Sequence, residues 1–60
     1  MTEIIVLNDW RFDVRRDGRF YVIGTLNNGT RWETTQVQHM QAHDNCYEVH
    51  TTNTIYILYW

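Results

Sequence analysis

The sequence has little of what would place the protein outside a reducing compartment or inside a membrane. Its single cysteine, Cys46, cannot form an intrachain disulfide, whereas small secreted domains usually depend on several. The N-terminus has neither the basic start nor the long apolar segment of a signal peptide. The longest apolar run, residues 55–60, is far shorter than the roughly 20 residues that a membrane helix needs. We therefore predict a cytoplasmic protein that does not span or bind a membrane.

Lysine, serine and proline are also absent, and the chain of 60 residues has a formal charge of −2. A domain of this size buries only about 60% of the surface that its unfolded chain exposes, which leaves little room for a deep pocket. Phosphate-binding glycine loops, nucleophile elbows and paired metalloprotease ligands do not occur in the sequence. We predict one complete domain over residues 1–60 that is not an enzyme and holds no cofactor.

What the sequence does contain favours strands. Five isoleucines, five valines, eight threonines and nine aromatic residues stand against one alanine and three leucines, a composition typical of β-structure. Trp10, Phe12 and Val14 alternate with charged residues, as in a strand with one buried face. Residues 4–7 form either a further strand or the first half of a long bent strand that is interrupted at Asn8-Asp9.

Turn residues divide the rest of the chain. Asp17-Gly18 and Asn28-Gly29 tolerate the positive φ of two-residue hairpin turns, so residues 10–35 are predicted to form a three-stranded meander. Two more strands are predicted at residues 46–51 and 54–59, joined by a tight turn. The segment between them and the meander has the only helix-tolerant composition, and we expect one short helical or 3-10 turn near residues 36–43.

These elements predict an all-β fold, namely a small five- to six-stranded antiparallel SH3-like barrel, with a two-layer sandwich as the alternative. Residues 24–37 begin Gly-Thr-Leu and contain Thr34-Thr35 before Val37, and residues 51–58 read Thr-Thr-Asn-Thr-Ile-Tyr-Ile-Leu. Together these segments resemble short, uncharacterised bacterial and phage-encoded SH3-like proteins. The resemblance implies a small barrel of phage or bacterial origin, and it implies no activity.

The chain has more large apolar side chains than one face of each strand can hold. Both faces of the last predicted strand are apolar, and residues 4–7 repeat the pattern. Either the outer faces cover each other within one chain, or they meet a second copy or another protein. Burial of each side chain is worth roughly 1.5–3 kcal/mol against an association cost of roughly 4–15 kcal/mol, so we predict a homo-oligomer, most simply a homodimer. The predicted interface residues are Leu7, Tyr56, Leu58 and Trp60.

Arginines near the first predicted hairpin indicate a second kind of surface. Small barrels often bind single-stranded nucleic acid through arginines and stacked aromatic rings. Asp9, Asp13 and Asp17 lie among these arginines and the whole chain is acidic, which favours cross-strand ion pairs on a solvated face. The candidate nucleic-acid or ligand face consists of Arg11, Arg15, Arg19, Tyr21 and Trp32.

The histidines raise the question of a metal site. His39 and His43 are four residues apart and Cys46 follows, which permits a two- or three-ligand zinc site if this stretch is helical. His50 lies about 13 Å from Cys46 along a predicted strand, too far to share a tetrahedral ion. We favour polar loop histidines and a small buried thiol, and we predict no metal.

The composition and the apolar surplus together predict a non-enzymatic protein–protein interaction module that self-associates and presents an aromatic face to a protein partner. The phage resemblance implies a modulator or inhibitor of a host protein, acting in the host cytoplasm. The alternative is a small-barrel RNA or single-stranded DNA binding protein. Its affinity would fall steeply with salt, whereas binding by apolar burial would not.

Overall fold

A computed structural model describes residues 2–60, which form six β-strands. The strands are β1 Glu3–Val14, β2 Phe20–Thr25, β3 Arg31–Glu33, β4 His39–Ala42, β5 Cys46–His50 and β6 Thr54–Tyr59. They make one sheet in the order β3-β2-β1-β6-β5-β4. The predicted all-β fold is confirmed, as is the meander of β1, β2 and β3. Residues 2–60 include no helix long and apolar enough to cross a membrane.

The turns predicted at Asp17-Gly18 and Asn28-Gly29 join β1 to β2 and β2 to β3. The Gly18 N–H donates a hydrogen bond to Arg15 O at 3.1 Å, and the Gly29 N–H donates to Leu26 O at 2.9 Å. The φ angles of the two glycines are 86° and 88°, in the left-handed region that glycine adopts without strain. Local turn chemistry therefore sets the register of the meander.

One pairing differs from the expected antiparallel sheet, because β1 runs parallel to β6. Ile4 lies opposite Ile55, and Leu7 lies opposite Leu58. A parallel pair needs a long connection between its two strands, and the four other strands supply it here. Pairing between the first and the last strand is non-local, and turn residues do not reveal it.

β1 is a single long strand with a bend, which settles the alternative left open for residues 4–7. Its register against β2 gains one extra residue between Asn8 and Arg11, a β-bulge. Asp9 lies in this bulge with a φ of 49°. The extra residue moves the side-chain alternation by one position. Leu7 before the bulge and Trp10 after it therefore both pack on the inner face.

The bend folds the sheet over a core on its inner face. The buried members of the core come from β1, β2, β5, β6 and the segment between β3 and β4. They are Leu7, Val22, Val37, Val49, Tyr56 and Leu58. Strands from both halves of the sheet order thus contribute to the same cluster.

The sheet is not closed into a barrel, because β3 and β4 at its two ends do not pair with each other. Residues 34–38 connect these strands. The Val37 N–H donates to Phe20 O on β2 at 3.0 Å, and the Gln38 N–H donates to His50 O on β5 at 2.8 Å. Because these donors bond across the sheet, they are not used along a helix. The helical or 3-10 turn expected near residues 36–43 is therefore absent, and residues 39–42 form β4.

Candidate functional site

An apolar groove opens on the inner face of the sheet, beyond the end of the core. It has a volume of about 220 Å³ and is lined by Phe12, Val14, Phe20 and Met40. Val14 is 72% exposed, Met40 38% and Phe12 37%. Large apolar side chains that cluster on a surface mark sites where a ligand or a partner binds. This groove is the candidate functional site.

Three strands position the lining of the groove. After the bulge, Phe12 and Val14 point to the inner face of β1, and Val14 pairs with Phe20 at the start of β2. Met40 comes from β4. β6 pairs with β1 only as far as Leu7, so the last residues of β1 extend past the end of this neighbouring strand. The groove lies beside this stretch of β1.

Aromatic rings continue the groove along β1, and we call Trp10, Phe12, Tyr47 and Trp60 the aromatic wall. The ring centroid of Tyr47 lies 5.7 Å from that of Trp10 and 5.8 Å from that of Phe12. The Tyr47 and Trp60 centroids are 4.7 Å apart. Trp10 Nε1 donates a hydrogen bond to Tyr59 O at 2.8 Å, which orients the indole. Inclined rings at these separations attract each other, so a partner meets rings that are already ordered.

Strand edges without a partner flank the groove. β1 pairs with β6 over residues 3–7 and with β2 over residues 8–14, so along residues 10–14 one edge of β1 meets no other strand of the described chain. β4 pairs with β5 and ends the sheet. Backbone N–H and C=O groups on such edges can pair with a strand from another molecule.

The structure places three of the four residues predicted for an oligomer interface inside the core. Leu7 is 1% exposed, Tyr56 5% and Leu58 0%, so they pack against their own chain and offer no surface to a partner. Trp60 is 61% exposed and belongs to the aromatic wall. The prediction selected the wrong side of the last strand, because alternation does not tell which of two apolar faces turns inward.

The opposite face of β1 and β6 carries a smaller apolar surface, which we call the outer strip. It consists of two cross-strand pairs, Ile4 with Ile55 and Val6 with Ile57. Ile4 is exposed, and the other three are half-buried. The apolar surplus of the sequence is thus divided between the core, the groove and the outer strip.

The predicted arginine face is only partly assembled. Arg15 lies 4.5 Å from the ring centroid of Tyr21 and pairs with Asp13 at 3.0 Å and Glu33 at 3.3 Å. The hydrogen bond to Asp13 is the main reason that the pKa of Arg15 is raised. Arg11 lies on the same outer face, on the opposite side of β1 from Phe12. The charge of Arg15 is therefore shared with two carboxylates, as expected for a solvated face.

Arg19 and Trp32 do not join this surface. Arg19 pairs with Asp17 at 3.5 Å in the turn between β1 and β2. Trp32 pairs with Gly24 on β2 and its Nε1 donates a hydrogen bond to the Tyr56 hydroxyl at 3.1 Å, on the inner face. Of the two aromatic rings expected to stack on nucleic-acid bases, Trp32 therefore lies on the other side of the sheet, whereas Tyr21 stays beside Arg15.

Two of the three histidines contact a carboxylate instead of forming the zinc site that the spacing of His39, His43 and Cys46 permits. His43 Nε2 lies 2.9 Å from Glu48 Oε1, and His50 Nε2 contacts Glu48 Oε2. These hydrogen bonds, the one with His50 foremost, lower the pKa of Glu48. His39 packs its ring against His50 across β4 and β5, while Cys46 is buried. Over residues 2–60, no group of three or more His, Cys, Asp and Glu side chains has a geometry that could hold a metal ion.

Comparison with known proteins assigns no relative. No protein-family model, no curated protein and no solved structure matches this chain. The resemblance to short SH3-like proteins therefore stays a prediction, and function has to be argued from the surfaces of the chain.

Sequence reasoning did not find the groove, although it identified part of its lining. The alternation of Trp10, Phe12 and Val14 was correctly assigned to one strand face. That pattern predicts a half-buried strand, but it does not show where the pairing of β1 with its neighbour β6 ends. Phe20 and Met40 carry no local signal that links them to Val14, because the three residues meet only through the pairing of β1, β2 and β4 with their neighbours.

Proposed function

We propose that the chain is a non-enzymatic protein–protein interaction module that binds a partner protein in the groove. The observation that carries the proposal is the exposure of Phe12, Val14 and Met40 around one apolar depression beside the aromatic wall. Contact between apolar surfaces is the interaction that such a depression offers. The aromatic wall supports the proposal because ordered rings bind at a low entropic cost.

The groove by itself supports only weak binding. Full burial of a valine, phenylalanine or methionine side chain is worth about 1.5–3 kcal/mol. Val14 has most of that gain left, whereas Phe12 and Met40 have little more than a third of it. The sum is on the order of 3–4 kcal/mol, at or below the ~4–15 kcal/mol that association costs. A partner therefore needs further contacts, which the aromatic wall and the open strand edges offer.

An SH3-like arrangement that stays open between β3 and β4, the phage or bacterial origin and the cytoplasmic location belong to the same proposal. Support for the SH3-like arrangement comes from the folded sheet, whose residues 34–38 bond to both β2 and β5. The free, buried thiol of Cys46 supports a reducing compartment. In a host cytoplasm, such a module would modulate or inhibit a host protein by covering a surface.

Self-association is proposed on the outer strip rather than on the residues inside the core. None of the four side chains of the strip is charged, so two copies can face each other across a two-fold axis without like-charge repulsion. Light scattering over a dilution series tests this. The wild-type mass should rise with concentration, and Ile4→Glu should keep the chain monomeric. A wild-type chain that is monomeric at every concentration rejects self-association.

Nucleic-acid binding is the second candidate, and one observation favours it. Arg11 and Arg31 line a polar pocket of about 120 Å³ on the outer face, together with Asp9 and Thr25. Neither arginine forms an ion pair within the part of the chain that the structure describes. Phosphate contacts here would weaken steeply with salt, whereas contacts in the groove would not. Filter binding of single-stranded oligonucleotides across a salt series separates the two candidates.

A peptide display selection against the full chain tests the groove. Peptides selected on the wild-type chain should lose about tenfold or more in affinity on Val14→Glu, because a buried unpaired charge replaces an apolar contact. Thr52→Glu is the control, since it adds the same charge to an exposed position in the turn between β5 and β6, outside both the groove and the outer strip. The proposal fails if the selection yields no ligand, or if the selected peptides bind Val14→Glu as well as the wild-type chain.

A further inference from the structure

We infer that the partner enters the groove as an extended segment that pairs with the open edge of β1 along residues 10–14, with apolar side chains at alternate positions and an acidic residue at the end nearest the first hairpin. The inference rests on the proposed function, because it specifies how the groove is occupied. It adds the conformation, the side-chain pattern and the charge of the bound segment.

The edge of β1 along residues 10–14 lacks the features that usually prevent an unpaired strand from pairing with another chain. Beyond Leu7, β6 no longer accompanies β1, and no strand within residues 2–60 takes its place. Proteins commonly protect such edges with lysine, proline or charged side chains that point inward. This sequence contains no lysine and no proline. The inward side chains along this edge are Trp10, Phe12 and Val14, all apolar, and the bulge between Asn8 and Arg11 reaches only the first residue of the open stretch.

The geometry of the groove sets the pattern of the partner. A strand added beside β1 directs every second side chain to the inner face, next to Phe12 and Val14, and the others to the outer face, next to Arg11 and Asp13. The apolar lining therefore selects apolar residues at alternate positions. Polar residues fit the positions between them. Met40 of β4 lines the same groove and adds a further apolar contact for the segment.

Charge determines which end of the segment is acidic. Val14 and Phe20, at one end of the groove, flank the turn of residues 15–19, which holds three arginines and one aspartate. Arg15 is shared with Asp13 and Glu33, and Arg19 pairs with Asp17. The remaining arginine of the turn, Arg16, has no ion pair among the described residues and is exposed. A carboxylate at this end of the partner can form an ion pair with Arg16.

Synthetic peptides test this inference with the full chain. The parent probe is a capped heptapeptide with valines at alternate positions, threonines between them and one aspartate at either the N- or the C-terminal end. It should bind the wild-type chain and Thr52→Glu, and lose about tenfold or more on Val14→Glu. Replacing its aspartate with lysine should weaken binding severalfold at low salt.

Backbone methylation then separates strand pairing from simple apolar contact. N-methylation of one alternating set of amides, the set that faces β1, should weaken binding about tenfold or more, whereas methylation of the other set should have little effect. Bound peptide should slow amide hydrogen exchange within residues 10–14. Equal binding of both methylated peptides, or slowed exchange along β4 instead of β1, would overturn the inference and leave the groove function standing. If neither these peptides nor any selected ligand binds the wild-type chain, both the inference and the proposed function fail.

Discussion

Replacing Gly24 with alanine is a sensitive test of the bulge that shapes this fold. A Cβ at this position would lie 3.0 Å from Asn8 O, 3.1 Å from Leu7 Cβ and 3.4 Å from Trp10 Cβ. The φ angle of Gly24 lies outside the left-handed region, so alanine can adopt this backbone conformation. The substitution therefore has two opposing effects on stability, one on the unfolded chain and one on packing. Lower entropy of the unfolded chain would stabilise the alanine variant by about 0.4–1 kcal/mol, whereas overpacking costs about 1–3 kcal/mol.

The contacts decide the outcome, because the atoms that would have to move cannot do so easily. Asn8 O belongs to the backbone of the bulge, and Leu7 is fixed at the centre of the core. We therefore expect Gly24→Ala to be destabilised by about 1–2 kcal/mol, which lowers the melting temperature of so small a domain by about 5–15 °C.

Thermal unfolding followed by circular dichroism measures this shift. Gly18→Asn is the control, because no atom lies within 4 Å of the added Cβ and asparagine tolerates a positive φ. Its stability should change by less than about 0.5 kcal/mol. A Gly24→Ala variant as stable as the wild-type chain would show that the bulge has room to adjust, and the argument from close approach would be wrong.

Two further predictions concern the core and acid stability. Leu58→Ala should lower the free energy of unfolding in urea by about 2–5 kcal/mol, because Leu58 is fully buried. Trp60→Ala should lower it by no more than about 1.5 kcal/mol. Similar losses in the two variants would contradict the assignment of Leu58 to the core. Glu48 accepts hydrogen bonds from His50 and His43, which lower its pKa in the folded state. Ionised Glu48 therefore stabilises the folded chain fully above the ordinary pKa of glutamate, and this stabilisation is lost as the pH falls through the lowered pKa. The wild-type chain should therefore lose stability in acid more steeply than Glu48→Gln, and parallel stability–pH curves would reject this role.

Sequence reasoning predicted those parts of the fold that depend on neighbouring residues. The hairpins at Asp17-Gly18 and Asn28-Gly29 follow from their glycines, which accept a positive φ, although each loop has three residues rather than the expected two. The helical turn near residues 36–43 was wrong because the composition of that segment describes only its own preferences. The N–H groups of Val37 and Gln38 find acceptors on β2 and β5, far away in the sequence. Tertiary hydrogen bonds override a weak helical propensity in this way.

The apolar surplus was counted correctly but located in the wrong place. The excess is real, and Val14 and Trp60 carry part of it at the surface. Tyr56 and Leu58 were assigned to an interface because both faces of their strand are apolar. In the structure, the parallel pairing of β6 with β1 sets Leu58 beside Leu7, and both lie in the core.

The bulge at Asp9 connects the fold to the candidate site. Without the extra residue, strict alternation from Leu7 would direct Trp10, Phe12 and Val14 to the outer face, because side chains on a strand alternate with a period of two. With it, the inner face of β1 stays apolar from the core to the end of the strand. β6 follows β1 only before the bulge, so the apolar stretch after it lies beside an edge that no strand of the described chain occupies. One inserted residue therefore brings an uncovered apolar face and an unpaired strand edge to the same place, which is the combination that an extended partner segment requires.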